Sequence, residues 1–518
     1  MQLGFVIDHS RCIGCHACTV ACKSENHVPL GSFRTWVKYT EEGEFPAVER
    51  SFAVLRCNQC SDAPCVTICP VSALEKRFDG VVDVDPKACI GCKACMHGCP
   101  YDALYIHPGT GTAEKCHFCV HRTELGLAPA CAVVCPTEAI VPGDFDDPAS
   151  RVSRMRAELD LRARKTEAGT RPNVLYREVS AAGIDPAVAN MAGGFIWTES
   201  PSGPRMDAQM FEALEGELET RARARTTYDV PRGELWGGRI TGYLFFKSLA
   251  AGLFPAAWLS FDAAAEVREG VKPGVAAPLF ALVCLTLTCG LLVGDLKRPE
   301  RFFFILKRPN WRSWLARGTF AIGLYGALLA VWLLAVLGRR DDGGAGWAIF
   351  GWLTIATGLL TAAYTGWLFR QARGRVLWMK RGYWFHLVVQ ALLAGSALLC
   401  ALQPVLLWGA DAAARLADLL SATLVLHLVL VWIEERMAPR GREAEYRRAA
   451  RLVTHGPYSR RHWALGVVLG ILLPMLLILV YVPLGGVWLP ALAGVLALAG
   501  LWHEKDVFVR AGQALPIS

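Results

Sequence analysis

Long apolar runs in this chain concentrate after residue 238. Eight segments of spanning length can be drawn there, at 240–261, 275–294, 318–337, 346–369, 384–407, 416–433, 463–484 and 487–503. Eight such segments in series fit membrane helices better than buried helices of a soluble domain, so residues 238–518 are expected to form an all-α integral membrane bundle of eight helices. Residues 141–237 read differently. They are polar, rich in Pro, Gly and Arg, and free of cysteine. Two charged stretches, 151–168 and 206–225, predict solvated helices in a segment that straps the N-terminal domain to the bundle and to a partner. No catalytic constellation lies in it.

Charge changes this picture. The chain has 518 residues and a net charge of +8, which by itself invites a nucleic-acid reading. The basic residues, however, gather in short connections between apolar segments. The second–third, fourth–fifth and sixth–seventh connections hold seven, five and eight Lys or Arg, against two, two, one and none in the others. That is 20 against 5, and the positive-inside tendency puts those three connections and both termini on the cytoplasmic side. The first residues, Met1 to Asp8, have no basic leader, no long apolar stretch and no twin-arginine pair. The cysteine-rich half is therefore expected in the cytoplasm, where structural disulfides are rare.

Sixteen of the nineteen cysteines lie before residue 136. Cys12, Cys15, Cys18 and Cys22 are spaced C-x2-C-x2-C-x3-C; Cys57, Cys60, Cys65 and Cys69 C-x2-C-x4-C-x3-C-P. Cys89, Cys92, Cys95 and Cys99 repeat C-x2-C-x2-C-x3-C-P, and Cys116, Cys119, Cys131 and Cys135 are spaced C-x2-C-x11-C-x3-C-P. In such a loop three thiolates grip one cubane and the fourth points to another cluster. Sixteen ligands suit four [4Fe–4S] clusters. Structural zinc rarely takes third and fourth cysteines so close together. A disulfide scaffold would need export. Cys12-Ile13-Gly14-Cys15-His16 also matches a c-type haem attachment motif, but Cys18 and Cys22 continue the ferredoxin spacing instead.

On these motifs the first ~140 residues resemble the iron–sulfur subunit of the dimethyl sulfoxide reductase family of molybdenum enzymes. The resemblance implies an α+β double ferredoxin-like [4Fe–4S] domain over residues 1–140. It implies that Cys12, Cys15, Cys18 and Cys135 hold one cluster and Cys22, Cys116, Cys119 and Cys131 its neighbour. Cys57, Cys60, Cys65 and Cys99 would hold a third, and Cys69, Cys89, Cys92 and Cys95 the fourth. The membrane half resembles the polysulfide and dimethyl sulfoxide reductase anchors through Tyr243 to Gly252, Asp295-Leu296-Lys297-Arg298-Pro299-Glu300-Arg301, and the Arg510 to Gln513 tail. In relatives the loop matching Asp295–Arg301 often begins with His and lines a quinol pocket. Asp295 stands in that place here.

A quinone (menaquinone or ubiquinone) needs protons as well as electrons, so Asp295 and Arg301 at the edge of the second helix are candidate quinone residues. Lys247, inside the first helix, is a candidate too, with snorkelling as the competing account. Tyr325 could line the pocket, as could Tyr364 with Thr361 and Thr365, though polar residues in a bundle commonly bond to adjacent helices. His386 and His427 on adjacent helices could in principle ligate a haem, but the resembling anchors are haem-free. Cys284, Cys289 and Cys400 read as small apolar fillers.

The chain carries no recognisable site for substrate chemistry. It is expected to serve a separate catalytic subunit, which the resemblance implies to hold a molybdenum bis-pterin cofactor. Electrons would run between that subunit and quinone through four clusters. With a cytoplasmic catalytic face the chain looks more like the cytoplasm-facing sulfite dehydrogenase type, a resemblance that implies sulfite oxidation, with an acyl-CoA substrate or a quinol-oxidising reductase of the dimethyl sulfoxide/polysulfide type as alternatives. A redox-linked ion-translocating module is the alternative of another class, with Lys247, Asp418 and His427 as its expected intramembrane charges. A membrane-tethered ferredoxin with no dedicated enzyme is a third.

Overall fold

The computed structural model describes residues 1–44, 46–191, 224–230, 233–261, 271–338, 345–406, 408–484 and 486–518. Strand Leu3–Asp8 is the spine of the cysteine domain: Phe5, Val6 and Ile7 are fully buried. Successive strand residues face opposite sides, so Phe5 and Ile7 join one core while Val6 joins another with Val141, Phe145 and Val152. The spine pairs antiparallel with Ile140–Asp144 and parallel with Val174–Arg177, which in turn pairs with Arg162–Ala163. A second sheet runs Asn190–Met191, Ala224–Tyr228, Thr35–Glu44, Ala47–Arg56. Two small hairpins, Leu74–Lys76 with Val82–Val84 and Leu104–Ile106 with Ala113–Lys115, carry the cysteine loops.

The expected boundary at 140 therefore falls inside a strand, and stretches assigned to the linker complete both sheets. Alternating apolar residues such as Val174 and Tyr176 draw them in, where both are fully buried. The helix expected over 151–168 covers only Arg151–Glu158; a two-residue strand and a short turn follow. The other expected helix, 206–225, lies outside the described residues except for its last two, which open strand Ala224–Tyr228.

We number the long helices of the second half α1 (Gly238–Ser260), α2 (Val271–Gly294), α3 (Trp314–Leu337), α4 (Ala345–Gln371), α5 (Tyr383–Leu406), α6 (Ala410–Trp432), α7 (Arg461–Leu472 in π form, continuing as Leu473–Leu484) and α8 (Trp488–Ala514). All but α8 are long and apolar enough to cross a membrane, seven among the described residues. The eighth expected span, 487–503, lies in α8, which continues to Ala514 because Glu504 and Lys505 find partners inside the bundle instead of ending the helix.

Helix α1 sits against α2, α4, α5 and α8. Its approach to α5 is possible only between glycines: a Cβ on Gly252 would lie 1.6 Å from the Ala391 carbonyl oxygen. Small residues at such crossings let helix backbones meet without lipid between them.

The cysteine domain lies on one end of the bundle, and the three basic connections all run beneath it. Lys297 and Arg298 hydrogen-bond through their backbones to Gly91 and Ile90. Arg373 donates to the Ala168 and Gly169 carbonyls, and Lys165 reaches Glu445 of the third connection at 4.0 Å. The basic connections thus share a side with the cysteine domain, as the charge count anticipated. They also hold it there, which the count did not anticipate.

Candidate metal centres and the membrane junction

All sixteen thiols of the N-terminal domain are free of disulfides. They fall into four neighbourhoods close enough for charge on one to act on the next. Cys12 lies by Cys15 and Cys135, with Cys18 beside it. Cys22 lies by Cys116, Cys119 and Cys131. Cys60 has Cys57, Cys65 and Cys99, and Cys95 has Cys69, Cys89 and Cys92. These are the four sets expected above. The sets also lie within electrostatic reach of one another in a row: Cys18 feels Cys131, Cys57 feels Cys116, and Cys95 feels Cys65. Burial first, then neighbouring thiols, push Cys18 up to about 11 and Cys99 up to about 12. Sixteen clustered thiols call for positive charge among them.

Part of that charge comes from two residues the spacings did not reveal. Arg56 is fully buried, with Nη1 3.2 Å from Cys131 Sγ and the guanidinium 4.4 Å from the Phe5 ring. Its Nε and Nη2 have no partner. Arg56 lines a small pocket together with Cys22, Cys116, Cys119 and Cys131. Burial works against the Arg56 charge, but Cys131, Cys116 and Cys18 outweigh it and hold the group protonated. Lys115 is buried by Cys57, Cys65 and Cys116 and is likewise held above its ordinary value against desolvation. Four thiols and idle guanidinium donors fit an anionic iron–sulfur centre. A signal was present in the sequence, since Arg56 and Lys115 each directly precede the first cysteine of a motif.

The third motif, with the end of the second, meets the bundle. Gly91, at φ +68°, carries the turn between Cys89 and Cys92; a Cβ there would lie 2.6 Å from that of Lys297. Lys93 forms an ion pair with Asp295 at 2.8 Å and donates to the Leu235 carbonyl. Arg301 donates to the carbonyls of Pro86 and Cys89 at 2.7 and 3.1 Å. Asn310 and Ser313 bind the carbonyls of Cys69 and Ile68. The His97 ring packs on Trp236 and Trp378 at 4.1 and 4.9 Å. Asp295 and Arg301 therefore clamp the cysteine loops.

Lys247 and Tyr325 lie deeper. Lys247 is buried and does not snorkel; it donates to the Ala362 carbonyl at 3.2 Å and to Thr365 Oγ1, over the Tyr364 ring at 4.8 Å. The Tyr243 and Tyr364 hydroxyls bond to each other. Tyr325 donates to the Ala250 carbonyl at 2.8 Å, and Thr361 to the Thr357 carbonyl of its own helix. The four candidate quinone residues thus divide into a junction pair and a bundle pair. His386 and His427 face each other directly, Nε2 to Nδ1, at 2.9 Å, a hydrogen bond between rings rather than two ligands held apart across a macrocycle. Cys284 and Cys400 are buried among apolar side chains, and Cys289 is on the outer face.

Comparison with known proteins matches residues 48–145 to a 4Fe-4S dicluster domain and residues 228–516 to the polysulphide reductase NrfD family. A tetrathionate reductase subunit of Salmonella typhimurium is 43% identical over 202 residues, 38% of this chain and 80% of that one. Protein NrfC of Escherichia coli is 43% identical over 181 residues, 34% of this chain and 80% of that one. A polysulfide reductase polypeptide of Wolinella succinogenes is 38% identical over 187 residues, 36% of this chain and 98% of that one.

Proposed function

The chain belongs to the polysulphide reductase NrfD family, and from that premise we propose that it is the electron-transfer and anchor subunit of a molybdopterin oxidoreductase, joining a catalytic partner to membrane quinone. The four thiol sets would hold four [4Fe–4S] clusters, each a one-electron carrier when bound. The row of sets, ending in a third motif clamped onto the bundle by Lys93–Asp295 and Arg301, is the observation that carries this reading. It gives a continuous route from the domain's far end to the membrane helices.

Within the bundle, Lys247 is the foremost candidate to meet quinone. A buried lysine held by Thr365 and the Tyr364 ring, with Tyr243 alongside, can donate to a quinone oxygen and be resupplied by neighbouring hydroxyls. Tyr325 packs into the same half of the bundle. Asp295 and Arg301 contribute by setting the distance between the last thiol set and α2. The cysteine domain faces the cytoplasm in this reading, and the partner oxidises a cytoplasmic substrate, sulfite foremost. A second reading, quinol oxidation feeding a reductase, is favoured by relatives named as tetrathionate and polysulfide reductase components.

Purification of the full chain with its associated subunits tests the proposal. Molybdenum in a co-purifying chain, about sixteen iron atoms on this one and anaerobic bleaching of its visible absorption by menadiol are expected. Iron without molybdenum or any co-purifying chain would sink the reading.

A further inference from the structure

Away from Lys247, a second group of ionisable side chains is buried where α5, α6 and α8 meet. His386 and His427 are 1% and 2% exposed, and Gln390 and Lys505 are equally enclosed. They form one hydrogen-bonded chain. His386 Nε2 lies 2.9 Å from His427 Nδ1, and His427 Nε2 lies 2.7 Å from Glu504 Oε2. Gln390 Nε2 donates to Glu504 Oε1 at 2.8 Å, and Lys505 Nζ donates to Gln390 Oε1 at 2.7 Å.

The pattern of donors assigns the protons. Gln390 donates an amide proton to Glu504, so that carboxylate is an acceptor, and His427 donates to its other oxygen. A neutral His427 that donates from Nε2 must accept at Nδ1, so His386 donates from Nε2. That leaves His386 Nδ1 as a bare acceptor, buried and without a partner. A proton arriving there makes His386 an imidazolium. It then passes its Nε2 proton to His427 Nδ1, which leaves an imidazolium paired with Glu504. The excess proton has crossed the His386 ring and rests on His427, with neither ring moving away.

We propose that His386, His427 and Glu504 form a proton-holding relay, loaded at His386 Nδ1 and storing the proton as a His427–Glu504 ion pair. It rests on the quinone reading only in naming the reaction it serves. Oxidation of a quinol releases two electrons and two protons; the electrons go to the iron–sulfur carriers, one proton loads the relay and the other leaves to water. Reduction of a quinone runs the same steps backwards.

The surroundings agree. Lys380, at the edge of α5, pairs with Glu434 and faces Glu504; the Tyr383 ring is 5.8 Å from His386; His462 of α7 faces Glu504 as well. Lys505 stands within reach of the Lys247 charge, so the relay and the proposed quinone residues feel one another. The ligand atoms of His386, His427 and Glu504 also lie within 4.8 Å of one another, as a metal site requires. One feature favours protons. Both His427 nitrogens are already engaged, one with each neighbour.

The test uses the full chain in lipid nanodiscs. Infrared titration of the resting protein with isotope-labelled histidine is expected to show an imidazole–imidazolium transition that shifts in Glu504→Gln and disappears in His386→Asn. Menadiol oxidation, followed under anaerobic conditions with a pH dye, should slow about tenfold or more in both variants and release two protons to the medium per menadiol where the wild type releases one. A wild-type chain with no such histidine transition, variants with unaltered transition and rate, or stoichiometric Zn2+ binding that Glu504→Gln abolishes would each overturn the relay. If a variant does not fold, the wild-type titration decides alone. A wild-type chain inert to menadiol but showing the histidine transition would instead defeat the quinone reading and leave the relay standing.

Discussion

The cysteine domain and the membrane bundle both bury charge, and they neutralise it in opposite ways. In the cysteine domain, thiols close in sequence gather on short loops, and single basic residues, Arg56 and Lys115, sit against them. Those guanidinium and ammonium groups face thiols rather than carboxylates, and Arg56 keeps two donors idle. In the bundle, ionisable groups far apart in sequence meet through side-chain chains, such as Lys505 to Gln390 to Glu504. The first arrangement is built to receive a guest of fixed charge, and the second to let a mobile charge move. Buried charge in hydrocarbon is tolerated where it faces the bundle interior and finds partners; in the cysteine domain the partner is the expected metal centre itself.

Four changes break or sharpen that contrast. Replacing a ligand, Cys22→Ser, should have the largest effect, with iron falling by about a quarter in metal analysis and the bundle's helical signal preserved; full iron would refute the assignment of that thiol set. Arg56→Met should destabilise the loaded domain by about 3–5 kcal/mol, measured as a lowered denaturant midpoint of the cysteine domain. An unchanged midpoint would mean that the guanidinium does not compensate the thiols.

Asp295→Asn should leave Lys93 buried with a weakened partner and lower the junction's stability by about 3 kcal/mol. Hydrogen exchange at residues 88–99 reads this directly. A fall in menadiol oxidation with unchanged protection there would assign Asp295 to quinone chemistry instead of to the clamp.

The smallest effect concerns pH. Burial holds His9 down at about 4, only partly offset by Asp8, and His9 Nε2 accepts a hydrogen bond from the Val54 backbone. The folded pKa lies below the unfolded value, so the folded state binds fewer protons between the two. The contribution is fully present above about pH 6.5 and is lost as pH falls towards 4, up to about 3 kcal/mol in all. His9→Gln should flatten the stability profile in that window; an unchanged slope would mean that another group titrates.

How much was legible follows the same division. The cysteine motifs could be read because a ligand loop is a local object: Gly91 at positive φ and three cysteines within seven residues define it wherever it lies, whereas the remote fourth member of each set came only from the resemblance. Seven spanning helices could be read because lipid demands a long apolar run. The end of α8 could not be read. Glu504 and Lys505 look like a helix terminus until their partners on α5 and α6 are known. The same blindness made the intramembrane charges look sparse, limited to Lys247, Asp418 and His427. Asp295 was legible as special but not in its role, since Lys93 lies some two hundred residues earlier.

The sequence by itself determined which residues can hold iron and sulfur, where the chain enters the membrane, and which connections share a side. Local spacing and hydropathy suffice for these because each depends on neighbours in the chain. Only the tertiary structure decided that the basic connections clamp the cysteine loops, that Arg56 points into a thiol set, and that His386, His427 and Glu504 meet. These depend on contacts between distant segments, and charge in a low-dielectric interior takes its meaning from whatever is brought beside it.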